Sequence, residues 1–322
     1  MAVEGLLSVL NFHCFIVILI GVVVGIIFGS IPGLTSTMGV ALCLPLTFSM
    51  SPLDGISMLV ALYVGGTSGG LISAILLKIP GTPSSVATTF DGGPMAERGE
   101  GGKALGIGIL YSFLGTVLSI VALIFIAPSL AKIALKFGPY EYFAICLFAL
   151  TMIGAMVGDN LLKGLMSGIA GVTFSLFGIA SIGGAERFTF GIQSLENGFQ
   201  QLPVMIGLFA VAEILKVGAD GISANKATVM NCKVKGFGIT LKEFKEQFVN
   251  FIRSALIGIG IGILPGIGGA TSNIVAYSVA KQQSKYPEKF GTGIIDGVIA
   301  TETSNNSSIG GALIPLLTLG IP

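Results

Sequence analysis

Two short clusters of hydroxyl and amide side chains each follow a proline–glycine pair inside an apolar stretch. One copy runs from Gly25 to Gly33 and the other from Gly258 to Gly266, and both read G-x-x-x-G-x-x-P-G. Such a pair breaks a membrane helix and frees backbone groups that lipid cannot satisfy, so it survives where it lines a polar cavity. The breaks are Pro32, Gly33, Pro265 and Gly266.

The helix that follows each break attracts anions through its free N–H groups and its dipole. We therefore predict that the polar residues after the breaks bind an anionic substrate. These residues are Thr35, Ser36, Thr37, Thr271, Ser272 and Asn273. The alternative is that their side chains only cap the following helix.

A second polar cluster in each half extends the internal similarity. Residues 303–311 read T-S-N-N-S-S-I-G-G, and residues 65–70 read G-G-T-S-G-G ahead of a further break at Pro80 and Gly81. Uncharged polar groups in apolar surroundings cost free energy unless they bind something. Asn305 and Asn306 are assigned to the substrate, because amide N–H₂ groups can hold a carboxylate. The alternative is that these groups only bond neighbouring helices.

A coupling ion, Na⁺ or H⁺, is expected near the same cluster, with no other cofactor and no metal beyond that possible Na⁺. The candidates to carry the ion are Thr67, Ser68, Ser304, Asp296 and Glu302.

An intramembrane hydrolase around Ser68 is a competing interpretation. Residues 66–69 fit the G-x-S-G pattern around a serine nucleophile. Such a serine needs a base, and no histidine follows His13. Lys78 lies ten residues further on, which on a helix separates the two side chains by about 280°. We therefore predict that the chain is not an enzyme.

Composition indicates a multi-pass protein of the lipid bilayer. Charged residues make up 10% of the chain and hydrophobic residues 52%, whereas a typical soluble protein is about 25% charged. The 48 glycines show no collagen period and suit closely packed membrane helices. A formal net charge of +1 argues against a nucleic-acid partner.

Stretches of about 20 apolar residues can cross a bilayer as helices. The predicted spans are Phe12–Ile31, Gly55–Leu77, Leu105–Ala127, Tyr140–Val157, Leu161–Ile182 and Leu202–Val217. Shorter, discontinuous pieces are predicted near Leu34–Phe48, Ile252–Leu264, Ile267–Ala280, Gly293–Thr301 and Ile309–Leu319. The charged residues from Asp91 to Lys103 share a glycine-rich loop and are expected to be solvated.

The longest polar interruption, with its lysines, is expected to be cytoplasmic by the positive-inside rule. Phe244, Phe248 and Phe251 follow at helical spacing, which predicts a helix along the membrane interface. We predict three parts: residues 1–217 as a first membrane half with the first broken-helix motif, 218–251 as a basic cytoplasmic connector with an amphipathic helix, and 252–322 as the start of a second half that is truncated. The expected fold class is all-α, a polytopic membrane protein with two related halves containing broken or re-entrant helices.

Several runs of sequence, in order, resemble the TctA family, the large membrane subunit of bacterial tripartite tricarboxylate transporters. Besides the two proline–glycine breaks they are residues 79–85 (IPGTPSS), 91–96 (DGGPMA), 286–291 (YPEKFG), 297–302 (GVIATE) and 304–311 (SNNSSIGG). The similarity covers nearly the whole chain. Members of this family are usually considerably longer, so the resemblance also indicates a truncated sequence.

The resemblance implies a subunit of an ion-coupled secondary transporter in the bacterial cytoplasmic (inner) membrane. It implies tri- or dicarboxylates such as citrate as substrates. It also implies two partners, a small TctB-like membrane subunit and an extracytoplasmic TctC-like solute-binding protein. A carboxylate substrate agrees with the anion sites expected from the residues. The alternative function is that of a non-transporting membrane fragment that binds partner subunits.

Overall fold

The structure is a computed structural model, and it describes residues 8–134, 136, 138–141, 143, 144, 147, 161–180, 184–199, 203, 204, 207, 211, 215, 236–264 and 268–319. Most of the spans predicted at Tyr140–Val157 and Leu202–Val217 lie outside these residues. So do the lysine-rich part of the predicted connector and the break at Pro265 and Gly266.

The chain divides into two compact units, which are taken separately. One contains Met1–Lys136 and Ala224–Pro322, and the other contains Phe137–Ser223. This grouping follows packing within the chain, and the three-part division made from the sequence stays a prediction.

The first unit is built from α-helices. In chain order they are α1 Phe12–Ser30, α2 Ser36–Thr47, α3 Pro52–Leu76, α4 Thr88–Met95, α5 Gly101–Ala134, α7 Leu241–Glu246, α8 Phe248–Ile263, α9 Gly268–Gln283 and α10 Ile295–Leu319. Single 3₁₀ turns lie at Pro83–Ser85 and Pro287–Lys289, and a π-helical turn at Ala96–Glu100 joins α4 to α5. Helix α6 lies in the second unit.

Capping residues explain where the first helices begin. Asn11, Thr35 and Ser51 each precede a helix, and each side chain accepts a backbone N–H from three residues further on, at 2.8–3.2 Å. These bonds satisfy donors that a helix leaves free at its start. After α1 the chain is extended at Ile31 and turns at Gly33, whose φ is +96°. The predicted break at Pro32 and Gly33 is therefore an interruption between α1 and α2.

Three helical stretches are long and apolar enough to cross a bilayer. They are Phe12–Ser30, Pro52–Leu76 and the continuous stretch Thr88–Lys132, and Ser36–Thr47 and Phe248–Ile263 are shorter apolar helices. The bounds of α1 and α3 agree closely with two predicted spans. Together with the helical content of the described residues, this confirms a helical membrane protein.

Helices α1 and α3 pack with their backbones in contact. A Cβ atom added to Gly25 would collide with the carbonyl oxygen of Leu62, and one added to Gly29 would collide with that of Gly66. In the reverse direction, a Cβ on Gly69 would lie 2.7 Å from the carbonyl oxygen of Ile26. Glycine is required at these positions because the obstructing atoms belong to the backbone and cannot rotate away.

Helices α8 and α10 repeat this packing in the same register. A Cβ on Gly258 would collide with the carbonyl oxygen of Ser304, and one on Gly262 would lie 2.5 Å from that of Ser308. In the reverse direction, Gly311 approaches the carbonyl oxygen of Ile259 at 2.6 Å. Gly258 and Gly262 therefore correspond to Gly25 and Gly29, with the same spacing along the helix. Ser304 and Ser308 correspond in the same way to Leu62 and Gly66.

Helix α10 occupies the centre of the first unit. Its residues from Gly297 to Gly311 are buried and include many polar side chains, and α3, α4, α5, α8 and α9 all pack against it. The sequence analysis split this segment into pieces at Gly293–Thr301 and Ile309–Leu319, whereas the helix runs unbroken. That prediction was wrong because the polar residues bond to neighbouring helices and to the preceding turn, so polarity does not mark an interruption here.

The aromatic stripe after the predicted connector faces the protein. Thr240 and Glu243 form a capping box at the start of α7, and the chain bends at Gln247 before α8 begins. The Phe244 and Phe251 rings lie 6.0 and 5.8 Å from the buried Tyr111 ring. Two helices therefore stand where one was predicted, and two of the three stripe residues pack on α5.

In the second unit the structure gives the bounds of an α-helix, of a 3₁₀ turn at Gln193–Leu195 and of a small hairpin. Helix α6 spans Leu161–Ser175, and strands β1 Gly178–Ile179 and β2 Glu186–Arg187 pair antiparallel. A span predicted over Leu161–Ile182 was therefore too long. The helix ends at Ser175, and the chain then enters β1 at Gly178, whose φ is +115°.

Candidate functional site

A carboxyl group lies on the most enclosed part of α10. Glu302 is fully buried. The Thr88 hydroxyl donates to its Oε1 at 2.6 Å, and the Ser112 hydroxyl donates to its Oε2 at 3.1 Å. Both donors are buried and come from other helices, α4 and α5. Each carboxyl oxygen therefore has one neutral donor, and protein surrounds the group.

Two asparagine amides stand behind these hydroxyls. Asn306 donates to Ser112 Oγ at 2.8 Å, and Asn273 donates to Thr88 Oγ1 at 3.4 Å. Each hydroxyl thus accepts from an amide while it donates to the carboxyl group, so both series of hydrogen bonds run toward Glu302. The half-buried Ser68 donates to Asn306 Oδ1 at 2.7 Å. We call the set the Glu302 cluster: Ser68, Thr88, Ser112, Asn273, Glu302 and Asn306.

Backbone groups set the orientation of one of these amides. Asn273 Oδ1 accepts the backbone N–H of Ala87 at 2.8 Å, and its Nδ2 donates to the carbonyl oxygen of Thr301 at 3.2 Å. Neither backbone group can exchange donor and acceptor roles, so the amide is held in one orientation. Asn273 therefore ties α9 to α10 and to the turn before α4.

Asp91 holds the start of α10, although a solvated side chain was expected there. Asp91 is buried, and its Oδ1 accepts three backbone N–H groups from the loop before α10. The donors are Gly291, Gly293 and Ile294, at 2.9, 2.8 and 3.0 Å. Two of these donors have left-handed φ angles, +88° and +97°, which glycine adopts readily. The expectation was wrong because backbone donors near a helix N-terminus replace water around this carboxylate.

Arg98 binds two backbone carbonyl groups of the same loop. It donates to the carbonyl oxygens of Thr292 and Gly293 and pairs with Glu100 at 3.1 Å. Asp91 also lies one helical turn after Thr88 on α4. The short segment from Thr88 to Arg98 therefore fixes both the start of α10 and the carboxyl group of Glu302.

The N-terminus of α9 faces a buried amide that lacks a partner on one side. Asn305 is fully buried, its Nδ2 makes one long bond of 3.4 Å to the carbonyl oxygen of Thr67, and its Oδ1 has no hydrogen-bond partner among the described residues. A Cβ on Gly269 would lie 2.8 Å from Asn305 Oδ1 and 3.2 Å from Ser84 Cβ. The start of α9 at Gly269, the Asn305 amide and the turn after Pro80 thus meet at one place.

The first polar cluster is arranged differently. Thr35 caps α2 by accepting the N–H of Met38 at 3.1 Å, Ser36 is half-buried against Gly66, and Thr37 is exposed. The Thr35 contact is the capping role that was weighed as the alternative. The structure gives no described contact between this cluster and the one at the start of α9.

Other predicted residues are used in contacts between helices or point outward. Ser272 and Ser304 are buried and exchange side chain–backbone hydrogen bonds, with Ser304 Oγ donating to the carbonyl oxygen of Ser272 at 2.9 Å. Thr67 is buried and lends its carbonyl oxygen to Asn305. Thr271 is exposed. Their assignment to substrate or ion stays a prediction.

Asp296 lies one and a half turns before Glu302 and belongs to a different environment. Its carbonyl oxygen accepts from Asn250 Nδ2 at 3.0 Å, and its carboxylate interacts electrostatically with Arg253. Arg253 donates to Gln283 and Asn250. This second acidic candidate for the coupling ion is therefore not part of the Glu302 cluster.

The break at Pro80 and Gly81 lies beside the end of α1. A Cβ on Gly81 would collide with the carbonyl oxygen of Gly29. Lys78, just before the break, has a left-handed φ of +54° and pairs with Glu97 at 2.5 Å. His13 lies 3.6 Å from Asp54. Neither of the two residues considered as a base for Ser68 contacts it.

Sequence reasoning missed Thr88 and Ser112, the two donors to Glu302. Ser112, Thr116 and Ser119 recur at helical spacing within an otherwise apolar span, which marks one polar face on α5. That pattern was available in the sequence. Thr88 carries no such signal, because it begins a short helix whose contact with Glu302 depends on the tertiary fold.

Comparisons with known proteins agree with the resemblance stated above. The family described as "Tripartite tricarboxylate transporter TctA family" matches residues 15–322. An "Uncharacterized 52.8 kDa protein in TAR-I ttuC' 3'region" of Agrobacterium vitis is 37% identical over 309 residues, which are 96% of this chain and 60% of that protein. A second protein of the same organism, "Uncharacterized protein in TAR-II ttuC' 3'region", is 48% identical over 62 residues, which are 19% of this chain and 26% of that protein.

The chain thus spans about 60% of the length of the first of these relatives. No solved structure matches it. The family match extends over nearly all of the chain, including the helices that carry Glu302, Asn305 and Asn306. The chain belongs to the TctA family of tripartite tricarboxylate transporters.

Proposed function

We propose that this chain is the large membrane subunit of an ion-coupled transporter that takes up tri- or dicarboxylates. Family membership supports transport as the class of function. The proposed location is the bacterial inner membrane, with a TctB-like small subunit and a TctC-like binding protein that delivers the substrate. The coupling ion, Na⁺ or H⁺, enters the same proposal.

The observation that carries the proposal is the buried Asn305 Oδ1, which faces the start of α9 and has no hydrogen-bond partner among the described residues. A buried polar atom without a partner costs about 1–3 kcal/mol, and such a cost is retained where the atom serves a ligand. Free N–H groups at a helix N-terminus favour negative charge, and a carboxamide can turn its N–H₂ group toward a carboxylate. Asn305, the hydroxyl of Ser84 and the start of α9 are therefore proposed to hold one carboxylate of the substrate.

The matched packing of the two helix pairs supports a transporter built from two related halves. The α1–α3 pair and the α8–α10 pair use glycines in the same register, and each first helix is followed by a proline–glycine pair in the sequence. Transporters with internal repeats place the substrate at helix interruptions between the halves. We propose that the polar clusters after the two breaks serve the same substrate path, with the second cluster contributing the anion site.

Uptake into proteoliposomes tests the proposal. The protein is reconstituted with its cognate small subunit and binding protein, and labelled di- and tricarboxylates are offered under imposed gradients of Na⁺ and of pH. Saturable accumulation is expected. Absence of uptake, combined with stable binding to the partner subunits, would favour the non-transporting alternative instead.

Variants of asparagine test the site separately. Asn305→Ala is expected to abolish uptake while the protein stays folded, because the side chain makes only one long hydrogen bond. Asn11→Ala is the matched control, since this amide caps the exposed start of α1, and its uptake is expected to match the unmodified protein. Normal uptake by Asn305→Ala would remove this site from the proposal without touching the transport function.

A further inference from the structure

Glu302 is a buried carboxyl group whose hydrogen-bond partners are all uncharged. Its side chain is fully enclosed, and the hydroxyls of Thr88 and Ser112 contact its two oxygens. The amides behind these hydroxyls are uncharged as well. An acidic residue is therefore buried at a position where a glutamine would make similar contacts. This points to a function for the ability of the Glu302 carboxyl group to gain and lose charge.

Charged and titratable groups on every element around α10 make their recorded contacts elsewhere. Asp91 on α4 binds backbone N–H groups, Lys103 on α5 pairs with Glu243 at 3.1 Å, and Arg253 on α8 binds Asn250 and Gln283. The remaining groups are Asp54 and Tyr63 on α3, Tyr111 and Lys132 on α5, Tyr277 and Lys281 on α9, and Asp296 on α10 itself. Within the described part of the chain, none of these groups forms a hydrogen bond or ion pair with Glu302.

An ionised carboxylate in such a place needs a cation. Enclosing an unpaired charge costs several kcal/mol even after the protein relaxes, and two hydroxyl donors offset only part of that cost. The cation is either a proton or a metal ion that enters with the substrate.

The geometry favours the proton. Hard metal cations such as Ca²⁺ gather six or more oxygen ligands around themselves, whereas here the hydroxyls reach the carboxyl oxygens directly, at 2.6 and 3.1 Å. A metal ion would have to separate them. A proton needs only one acceptor, and a serine or threonine hydroxyl either donates to a carboxylate or accepts from a carboxylic acid. Thr88 and Ser112 can therefore stabilise both forms of Glu302.

We propose that Glu302 carries the coupling proton of the transport cycle, with Thr88 and Ser112 as its holding groups; this rests on the proposed transport function. The carboxylate takes one proton from water while the site is open to one side of the membrane. It holds the proton in the enclosed arrangement described here, and it returns the proton to water on the other side. No bond other than O–H forms or breaks, and no electrons are transferred.

The test separates two modes of transport by the reconstituted full transporter. One assay measures accumulation of labelled carboxylate driven by an imposed pH gradient without Na⁺. The other measures exchange of internal for external carboxylate without any gradient. Glu302→Gln mimics the permanently protonated side chain, so it is expected to lose accumulation to the level of empty vesicles and to keep exchange. Glu246→Gln, the same substitution at an exposed acid on α7 outside the Glu302 cluster, is the matched control and is expected to keep both.

A direct measurement covers the case in which Glu302→Gln fails to fold. A pH-sensitive dye inside vesicles carrying the unmodified protein reports whether protons move with the substrate, and acidification that depends on the substrate is expected. Accumulation that follows only a Na⁺ gradient, absence of proton movement, or normal accumulation by folded Glu302→Gln would each overturn the inference while leaving transport intact. Absence of both accumulation and exchange in the unmodified protein would instead overturn the proposed function, and the inference with it.

Discussion

The two glycine-packed helix pairs share a frame and differ in what they carry. In the α1–α3 pair, the contact positions on α3 include Gly65 and Gly66. The corresponding positions on α10 are Ser307 and Ser308, and the Ser307 hydroxyl donates to the carbonyl oxygen of Ala255 at 3.1 Å. The second pair therefore holds its helices with hydrogen bonds in addition to close approach. The two helix pairs thus share the register of their contacts but differ in the polarity of the residues at those contacts, so one can change without the other.

The same contrast appears at the starts of α2 and α9. Ser36 packs its side chain against Gly66, whereas Gly269 has no side chain and faces Ser308 and Asn305. In one copy the side chain at this contact belongs to α2 and faces a glycine of α3. In the other copy the side chains belong to α10 and face a glycine of α9. Because α9 lacks a side chain here, its N-terminus stays open to Asn305, and this is where the second copy acquires its candidate anion site.

The largest effect is expected from substitutions that disrupt the glycine contacts common to both helix pairs. Gly29→Val and Gly262→Val place side chains against backbone carbonyl oxygens in equivalent positions, so both should destabilise the fold by about 1–3 kcal/mol or more. Thermal unfolding in detergent measures this. Gly260→Val, at an open position on α8, is the control and should unfold like the unmodified protein. A tolerated Gly262→Val beside a destabilising Gly29→Val would show that the two pairs are not packed alike.

An intermediate effect tests the difference between the pairs. Gly65→Ala brings a Cβ to 2.5 Å from the carbonyl oxygen of Val22 and is expected to cost about 1–3 kcal/mol. Ser307→Ala puts the same side chain at the corresponding position of α10, where it removes a hydroxyl that donates to the carbonyl oxygen of Ala255 or of Ser304, a contribution worth about 1 kcal/mol. The two free energies of unfolding are compared directly. Equal losses would show that the Ser307 hydroxyl matters as much to the second pair as the absence of a side chain at Gly65 matters to the first.

The smallest effect concerns the segment that leads into the second pair. Hydrogen bonds from the Thr240 backbone N–H, then from its hydroxyl and from Lys103, lower the pKa of Glu243 from 4.5 to about 2. A carboxyl whose pKa is lower in the folded state stabilises the fold above its unfolded pKa, and this contribution is lost as the pH falls from about 4.5 toward 2. Glu243→Gln should lower stability at neutral pH by less than about 1 kcal/mol. The difference from the unmodified protein should vanish near pH 2, and a difference that grows on acidification would contradict this.

Much of the fold could be predicted because its signals are local. Apolar length predicted α1 and α3, and the proline–glycine pair predicted the end of α1. The continuity of α10 could not be predicted in the same way. Its polar residues are satisfied by partners from α3, α4, α5, α8 and α9, so their apparent cost in the sequence disappears only in the folded chain.

The candidate site was predictable to a similar, partial extent. Glu302 and Asn306 were noticed because polar groups in an apolar stretch are conspicuous, and the structure brings these two together. Asp91 was misjudged, because a glycine-rich loop with charges looks solvated until its backbone N–H groups are known to converge on one oxygen. Thr88 was missed because a single threonine near a turn has no periodic pattern.

The enclosure of α10 has a consequence for how the chain enters the membrane. Helix α10 is 25 residues long, as α3 is, but with Glu302, two asparagines and several serines it lacks the apolarity that marks α1, α3 and the α4–α5 stretch as spans. A carboxylate near the middle of a lone helix opposes insertion by about 2.5–3.5 kcal/mol. We expect α10 to enter the bilayer only alongside helices that already offer it hydroxyls and amides. Helices α3, α4 and α5 precede α10 in the chain and are synthesised first, so their polar side chains are available when α10 inserts.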